Sequence, residues 1–151
     1  EGTRMVASLK WKGSNDEGLH KREEINVPVN EEICFIEPDP EIFKESEIGQ
    51  DMIKLIQGKP LHSILETRFL RSRMRIDTGI SICEVAIDEG EIVTDFGNLP
   101  ICELEIELFS GEQEDVRKIG EALAEKYQLT AENMSKYARG WKLLCNKANE
   151  K

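Results

Sequence analysis

Glu103, Glu105 and Glu107 alternate with Cys102, Leu104, Ile106 and Leu108. At the two-residue period of an extended strand, all three carboxylates leave one side of the backbone within roughly 14 Å. Arg71, Arg73 and Arg75 form the same pattern in RSRMR, opposite Leu70, Met74 and Ile76. Like charges held side by side repel, so each row implies an opposite charge close to it. Carboxylates in a row suit Mg2+ or Mn2+, which take oxygen ligands. Guanidinium and ammonium groups in a row suit phosphate, whose oxygens arginine binds in pairs. Both rows in one sheet would make a site for a metal-bound phosphate chain. Water can equally meet each polar face, as it does in most antiparallel sheets, or the two rows can simply pair with each other.

The elements that must position these rows follow from the same alternation. Residues 6–12 place Ala7, Leu9 and Trp11 against Ser8, Lys10 and Lys12. Residues 19–29 place His20, Arg22, Glu24 and Asn26 against Ile25 and Val27, and GSNDEG at 13–18 reads as the loop between the two strands. Further strands are expected over 69–77, 82–88 and 101–109. In the second of these, Cys83, Val85 and Ile87 oppose Glu84, Ala86 and Asp88. Asp88-Glu89-Gly90-Glu91 reads as a hairpin turn, with a return strand beginning over Glu91–Thr94. Cys83 and Cys102 fall on apolar faces and are expected to be buried thiols. Pro38 and Pro40 interrupt the stretch 30–60, with a helix over Asp51–Ile56 before Gly58 and Pro60. A helix is expected from Gln113 to Tyr127, where Val116, Ile119, Leu123 and Ala124 recur at helical spacing, and a last one after an N-cap at Thr130. Gly140 is expected to bend or interrupt that helix.

The chain of 151 residues suits one domain with a real core. Its 30 acidic and 20 basic residues give a net charge of −10, which argues against general nucleic-acid binding. The six basic residues of the strand faces (Lys10, Lys12, Arg22, Arg71, Arg73, Arg75) are balanced by six acidic ones (Glu24, Glu84, Asp88, Glu103, Glu105, Glu107). The acidity therefore belongs to loops and helix surfaces, and a small polyanion held within the sheet stays compatible with it. No apolar run approaches the roughly 18 to 20 residues of a membrane helix. The four cysteines are widely spaced without a CxxC pair, so reduced thiols and a cytoplasmic location are expected.

Six segments in this order resemble the CYTH domain, the triphosphate tunnel metalloenzyme superfamily: ASLKWKG, GLHKREEINVPV, ETRFLRSRMRI, ICEVAIDEGEI, PICELEIELFSG and SKYARGWKLL. The resemblance covers nearly the whole chain, roughly residues 4 to 144, and PICELEIELFSG and SKYARG are the most specific. The resemblance implies an α+β fold, an antiparallel β-barrel flanked by helices, with charged faces lining a tunnel and apolar faces under the helices. It implies a single CYTH-like domain over 1–151, N-terminally incomplete, since the family's E-x-E-x-K strand does not precede Ser8.

It also implies site roles. Lys10, Arg22, Glu24, Arg71, Arg73 and Lys136 would bind substrate phosphates. Glu84, Asp88, Glu103 and Glu105 would hold Mg2+ or Mn2+. Lys136 and Glu105 would serve the chemistry, Lys136 as proton donor or electrostatic clamp. The implied activity is hydrolysis of an inorganic or organic triphosphate. A class IV adenylate cyclase, or a polyphosphate- or nucleotide-binding module without turnover, are the alternatives. The expected partner is a triphosphate or nucleotide, with neither nucleic acid nor membrane.

Overall fold

The computed structural model describes residues 5–16, 19–29 and 38–148. In chain order these form β1 (Met5–Asp16), β2 (Leu19–Val29), a single 3-10 turn at Pro40–Phe43, α1 (Glu47–Ile56), β3 (Glu66–Asp77), β4 (Ile82–Thr94), β5 (Gly97–Ser110), α2 (Gln113–Tyr127) and α3 (Lys136–Ala148). The fold is mixed α+β, with a two-stranded sheet β1-β2 and a three-stranded antiparallel sheet β3-β4-β5. The chain divides into two compact units, one carrying the first sheet and α1, the other β3 to α3. Strand pairing among the described residues runs within each of these two sheets.

In the first unit the expected alternation holds. Leu9 is buried while Ser8 and Lys10 are exposed. Ser8 contacts Asn26, and Lys10 Nζ lies 3.4 Å from Glu24 Oε2, so the polar faces of the two strands run side by side. β1 continues through Gly13 to Asp16, where a loop was expected; Glu17, Gly18 and the side chains of Lys12 and His20 lie outside the described residues. Helix α1 starts earlier than its apolar pattern suggests because Ser46 Oγ accepts from the Gly49 amide at 3.1 Å, the N-cap bond that satisfies an orphan donor.

In the second unit β3, β4 and β5 form a meander. Residue pairs across it share a face, so Arg71, Asp88 and Glu103 form one row. Arg73, Ala86 and Glu105 form the next, followed by Arg75, Glu84 and Glu107. Asp88 to Glu91 is not a turn. β4 runs straight through, and the chain reverses over Asp95 and Phe96, with Thr94 opposite Gly97. Gly90 serves a different need: a Cβ there would lie 2.0 Å from the Arg68 carbonyl oxygen and 2.5 Å from Phe69 Cα. Only a residue without a side chain lets β3 come this close.

The two remaining helices pack against opposite faces. α2 covers the apolar face, where a Cβ on Gly120 would sit 3.7 Å from Ile106 Cδ1. α3 covers the charged face, whereas the helices were expected over the apolar faces, with Lys136 alone reaching the charged one. The reason is that this face turns apolar towards the Asp95-Phe96 reversal, where Ile92 and Ile101 are buried. Gly140 seats α3 there without breaking it, since a Cβ would meet Leu65 Cδ2 at 2.7 Å and Ile92 Cγ2 at 2.9 Å. The helix starts at Lys136, after Ser135 rather than Thr130: Ser135 Oγ accepts from the Ala138 amide at 3.2 Å. Three side chains expected on the covered apolar face, Leu70, Met74 and Ile87, are exposed, and so is Cys102; Cys83 is buried.

Candidate functional site

The row Arg71–Asp88–Glu103 is the centre of the only group of three or more acidic, histidine or cysteine side chains suited to a metal among the described residues. One oxygen each from Asp88, Glu103 and Glu105 lies within 4.8 Å of the others. Asp88 and Glu103 are neighbours across β4 and β5, and Glu105 is the next residue on the same face. Ala86, directly opposite Glu105, contributes only a methyl group to that face. Isolated carboxylates this close would repel strongly. Three cations offset them.

Arg71 reaches Asp88 with both arms of its guanidinium, Nε to Oδ1 at 2.7 Å and Nη2 to Oδ2 at 2.6 Å. The same Nη2 also contacts Glu105. Lys136, the first residue of α3, puts Nζ 2.7 Å from Asp88 Oδ2 and 2.8 Å from Glu105 Oε1, and in contact with Glu103. Arg139, one helical turn on, contacts Glu103 through Nη2, while its Nε is buried without a hydrogen-bond acceptor among the described residues. The Phe69 ring lies under this cluster, 5.3 Å from the Arg71 guanidinium carbon and 5.0 Å from Lys136 Nζ, measured to its centroid. Both cations thus meet the electron-rich face of one aromatic ring.

Burial sets the electrostatics. The Asp88 side chain is 0% exposed, Lys136 13% and Glu103 17%, whereas Glu105 is 46% exposed. Burial pushes the Asp88 carboxyl up, but hydrogen bonds from Arg71 and Lys136 outweigh it and hold the group below its usual range. Glu105 follows the same balance, with burial opposed by Lys136 and Arg71. Burial pulls Lys136 down, and its three carboxylate partners more than reverse this. Each group is thus held in its charged form.

Of the residues singled out from the sequence, Arg71, Asp88, Glu103, Glu105 and Lys136 converge. Arg73 and Glu84 lie further along the same face and pair with each other, Nη1 to Oε1 at 3.6 Å. Lys10, Arg22 and Glu24 meet in the first unit, where Glu24 Oε2 takes Lys10 at 3.4 Å and Arg22 at 3.7 Å. The charged rows do pair with each other, as the plainer alternative had it. Phe69 and Arg139 were not singled out. Phe69 is two residues before Arg71 on the same strand face, and Arg139 is three after Lys136 on the same helix face; those spacings were the available signals.

Three carboxylate oxygens converging from two adjacent strands fit the oxygen preference of Mg2+ or Mn2+, and the surrounding cations fit an anionic ligand. Residues 7–141 match the CYTH domain family. The inorganic triphosphatase of Haemophilus influenzae is 29% identical over 148 residues, which are 95% of this chain and 39% of that protein. The chain therefore spans well under half the length of this curated relative.

Proposed function

Since the chain belongs to the CYTH domain family, we propose that it is a metal-dependent triphosphatase that binds a triphosphate or nucleotide with Mg2+ or Mn2+. The observation that carries this reading is the meeting of Asp88, Glu103 and Glu105 with Arg71, Lys136 and Arg139 on one sheet face. The name of the Haemophilus relative supports inorganic triphosphate as the first substrate to test. In this proposal both sheets belong to one domain and contribute to one closed, charge-lined antiparallel barrel. Lys10, Arg22 and Glu24 are the charged residues that the first sheet would contribute.

Asp88, Glu103 and Glu105 would hold the divalent ion, which when bound offsets phosphate charge and makes an attacking water more acidic. Glu84 is a further acidic group on the same face. Arg71, Arg73, Lys10 and Arg22 hold the oxyanions and stabilise charge as it develops on them. Lys136, at the start of α3, would serve as the electrostatic clamp or the proton donor beside the triad.

Phosphate release from inorganic triphosphate with Mn2+ or Mg2+ tests the activity. Glu105→Gln removes one charge at the most exposed member of the triad while keeping its shape, and should lower the rate at fixed metal by about 100-fold. An unchanged rate in a folded Glu105→Gln variant would remove Glu105 from the metal site. Tight triphosphate binding without release would instead indicate the binding module, and cyclic AMP with pyrophosphate from ATP would indicate the cyclase.

A further inference from the structure

The Lys136 ammonium stands where the three carboxylates converge. It touches Asp88, Glu103 and Glu105 at once, at 2.7 and 2.8 Å from the first and last. A Mg2+ ion binds its oxygen ligands at about 2.1 Å, so an ion held by these same oxygens would overlap the space of the ammonium. Charge leads to the same result. The three carboxylates already face three cations, Arg71, Lys136 and Arg139. Adding a divalent ion with every cation in place would leave two uncompensated positive charges beside an Asp88 that is fully buried.

We propose that Lys136 is a resident counter-ion of the carboxylate triad, which a divalent ion must displace. Metal entry and release of the ammonium are then one exchange. The triad keeps a neutralising charge throughout, and Lys136 becomes free to meet an anion only once the metal has arrived. Phe69 gives the ammonium a second surface, since its ring already lies 5.0 Å from Nζ and is shared with Arg71. The exchange rests on the triad being the metal site, but it does not require that triphosphate be hydrolysed.

The test is Mn2+ binding to the full chain without phosphate, followed by the electron paramagnetic resonance of the free ion. Occupation by an internal competitor lowers apparent affinity by the fraction of time the site is open, so Lys136→Met should bind Mn2+ about tenfold more tightly or better. Lys136→Arg, which keeps a competing cation, should stay near wild type. Equal or weaker binding by a folded Lys136→Met variant would overturn the exchange, as would an absence of Mn2+ binding in every form. The wild-type protein offers a second measurement if Lys136→Met does not fold. Its lysine ammonium resonances, followed by nitrogen-15 NMR, should show the Lys136 signal shifting as Mg2+ binds, and saturation with Mg2+ that leaves this signal unmoved would also overturn it. Loss of the exchange with hydrolysis intact, or the converse, separates this inference from the triphosphatase reading.

Discussion

Gly90→Ala should destabilise the protein by about 3 kcal/mol, although it adds one methyl group to a strand. The added carbon would lie 2.0 Å from the Arg68 carbonyl oxygen and 2.5 Å from Phe69 Cα. Both are backbone atoms, so no side-chain rotation can relieve the contact, and β3 must move away from β4. That movement also carries Arg71 away from Asp88, its partner two residue pairs along. For a chain of this size the loss corresponds to roughly 10 °C in melting temperature. The same substitution at Gly120 is the internal comparison. There the new carbon meets only Ile106 Cδ1 at 3.7 Å, and the helix gains from alanine, so stability should rise by about 0.5 to 1 kcal/mol. Thermal or urea unfolding of the two variants should therefore show changes of opposite sign. Equal melting temperatures would contradict the close approach at Gly90.

Asp88→Asn should cost about 2 to 3 kcal/mol and flatten the acid side of the stability profile. The carboxylate accepts two hydrogen bonds from Arg71 and one from Lys136. An amide keeps one acceptor and turns a donor towards these donors. The cost stays moderate because Arg71 is a third exposed and both cations keep Glu105. The pH dependence follows from the directions of the shifts. Asp88 and Glu105 are held below their ordinary values of 3.8 and 4.5. Their contribution is therefore complete above those values and is lost as pH falls through the lower values of the folded protein. Lys136 is held above 10.5, so its contribution is complete below that value and is lost only as pH rises beyond it. Urea midpoints should be level near neutrality and fall in acid, with a shallower fall in Asp88→Asn than in wild type. A parallel acid limb in the variant would mean that Asp88 ionisation does not support the fold.

The alternation in the sequence located the five described strands, though it split β4 at Asp88, and it gave the faces of Lys10, Arg71, Glu103 and Glu105, because a two-residue period is legible without knowing what the strand pairs with. CELEIEL and RSRMR thus led to Glu103, Glu105 and Arg71 directly. The errors have physical causes. Asp88-Glu89-Gly90-Glu91 has the composition of a turn, but Gly90 answers to a neighbouring strand that local sequence does not reveal. The actual reversal at Asp95-Phe96 has its glycine just after it, with Gly97 at φ 125°. Thr130 and Ser135 are equally good caps in isolation. The choice of Ser135 goes with a local alternative, the Met134 amide donating to Glu132 Oε1 at 2.7 Å, which satisfies the backbone without helix. Arg139 escaped notice because a charged residue on an amphipathic helix ordinarily faces water. Its burial depends on α3 lying over the charged face, a tertiary fact set by Ile92, Ile101 and Gly140.

The connectivity of the meander also orders assembly in time. Arg71 and Asp88 are 17 residues apart and their strands follow one another directly, whereas Lys136 is 31 residues from Glu105 and Arg139 is 36 from Glu103. Closing the shorter loops costs less entropy, so the hairpins that gather the three carboxylates are favoured to form before α3 docks with two of their three counter-charges. During that interval the sheet face is an acidic basin, and the basic start of α3 is drawn to it by an attraction that salt screens over about 10 Å at 0.1 M. The helix that neutralises the cluster would then arrive after the carboxylates it neutralises.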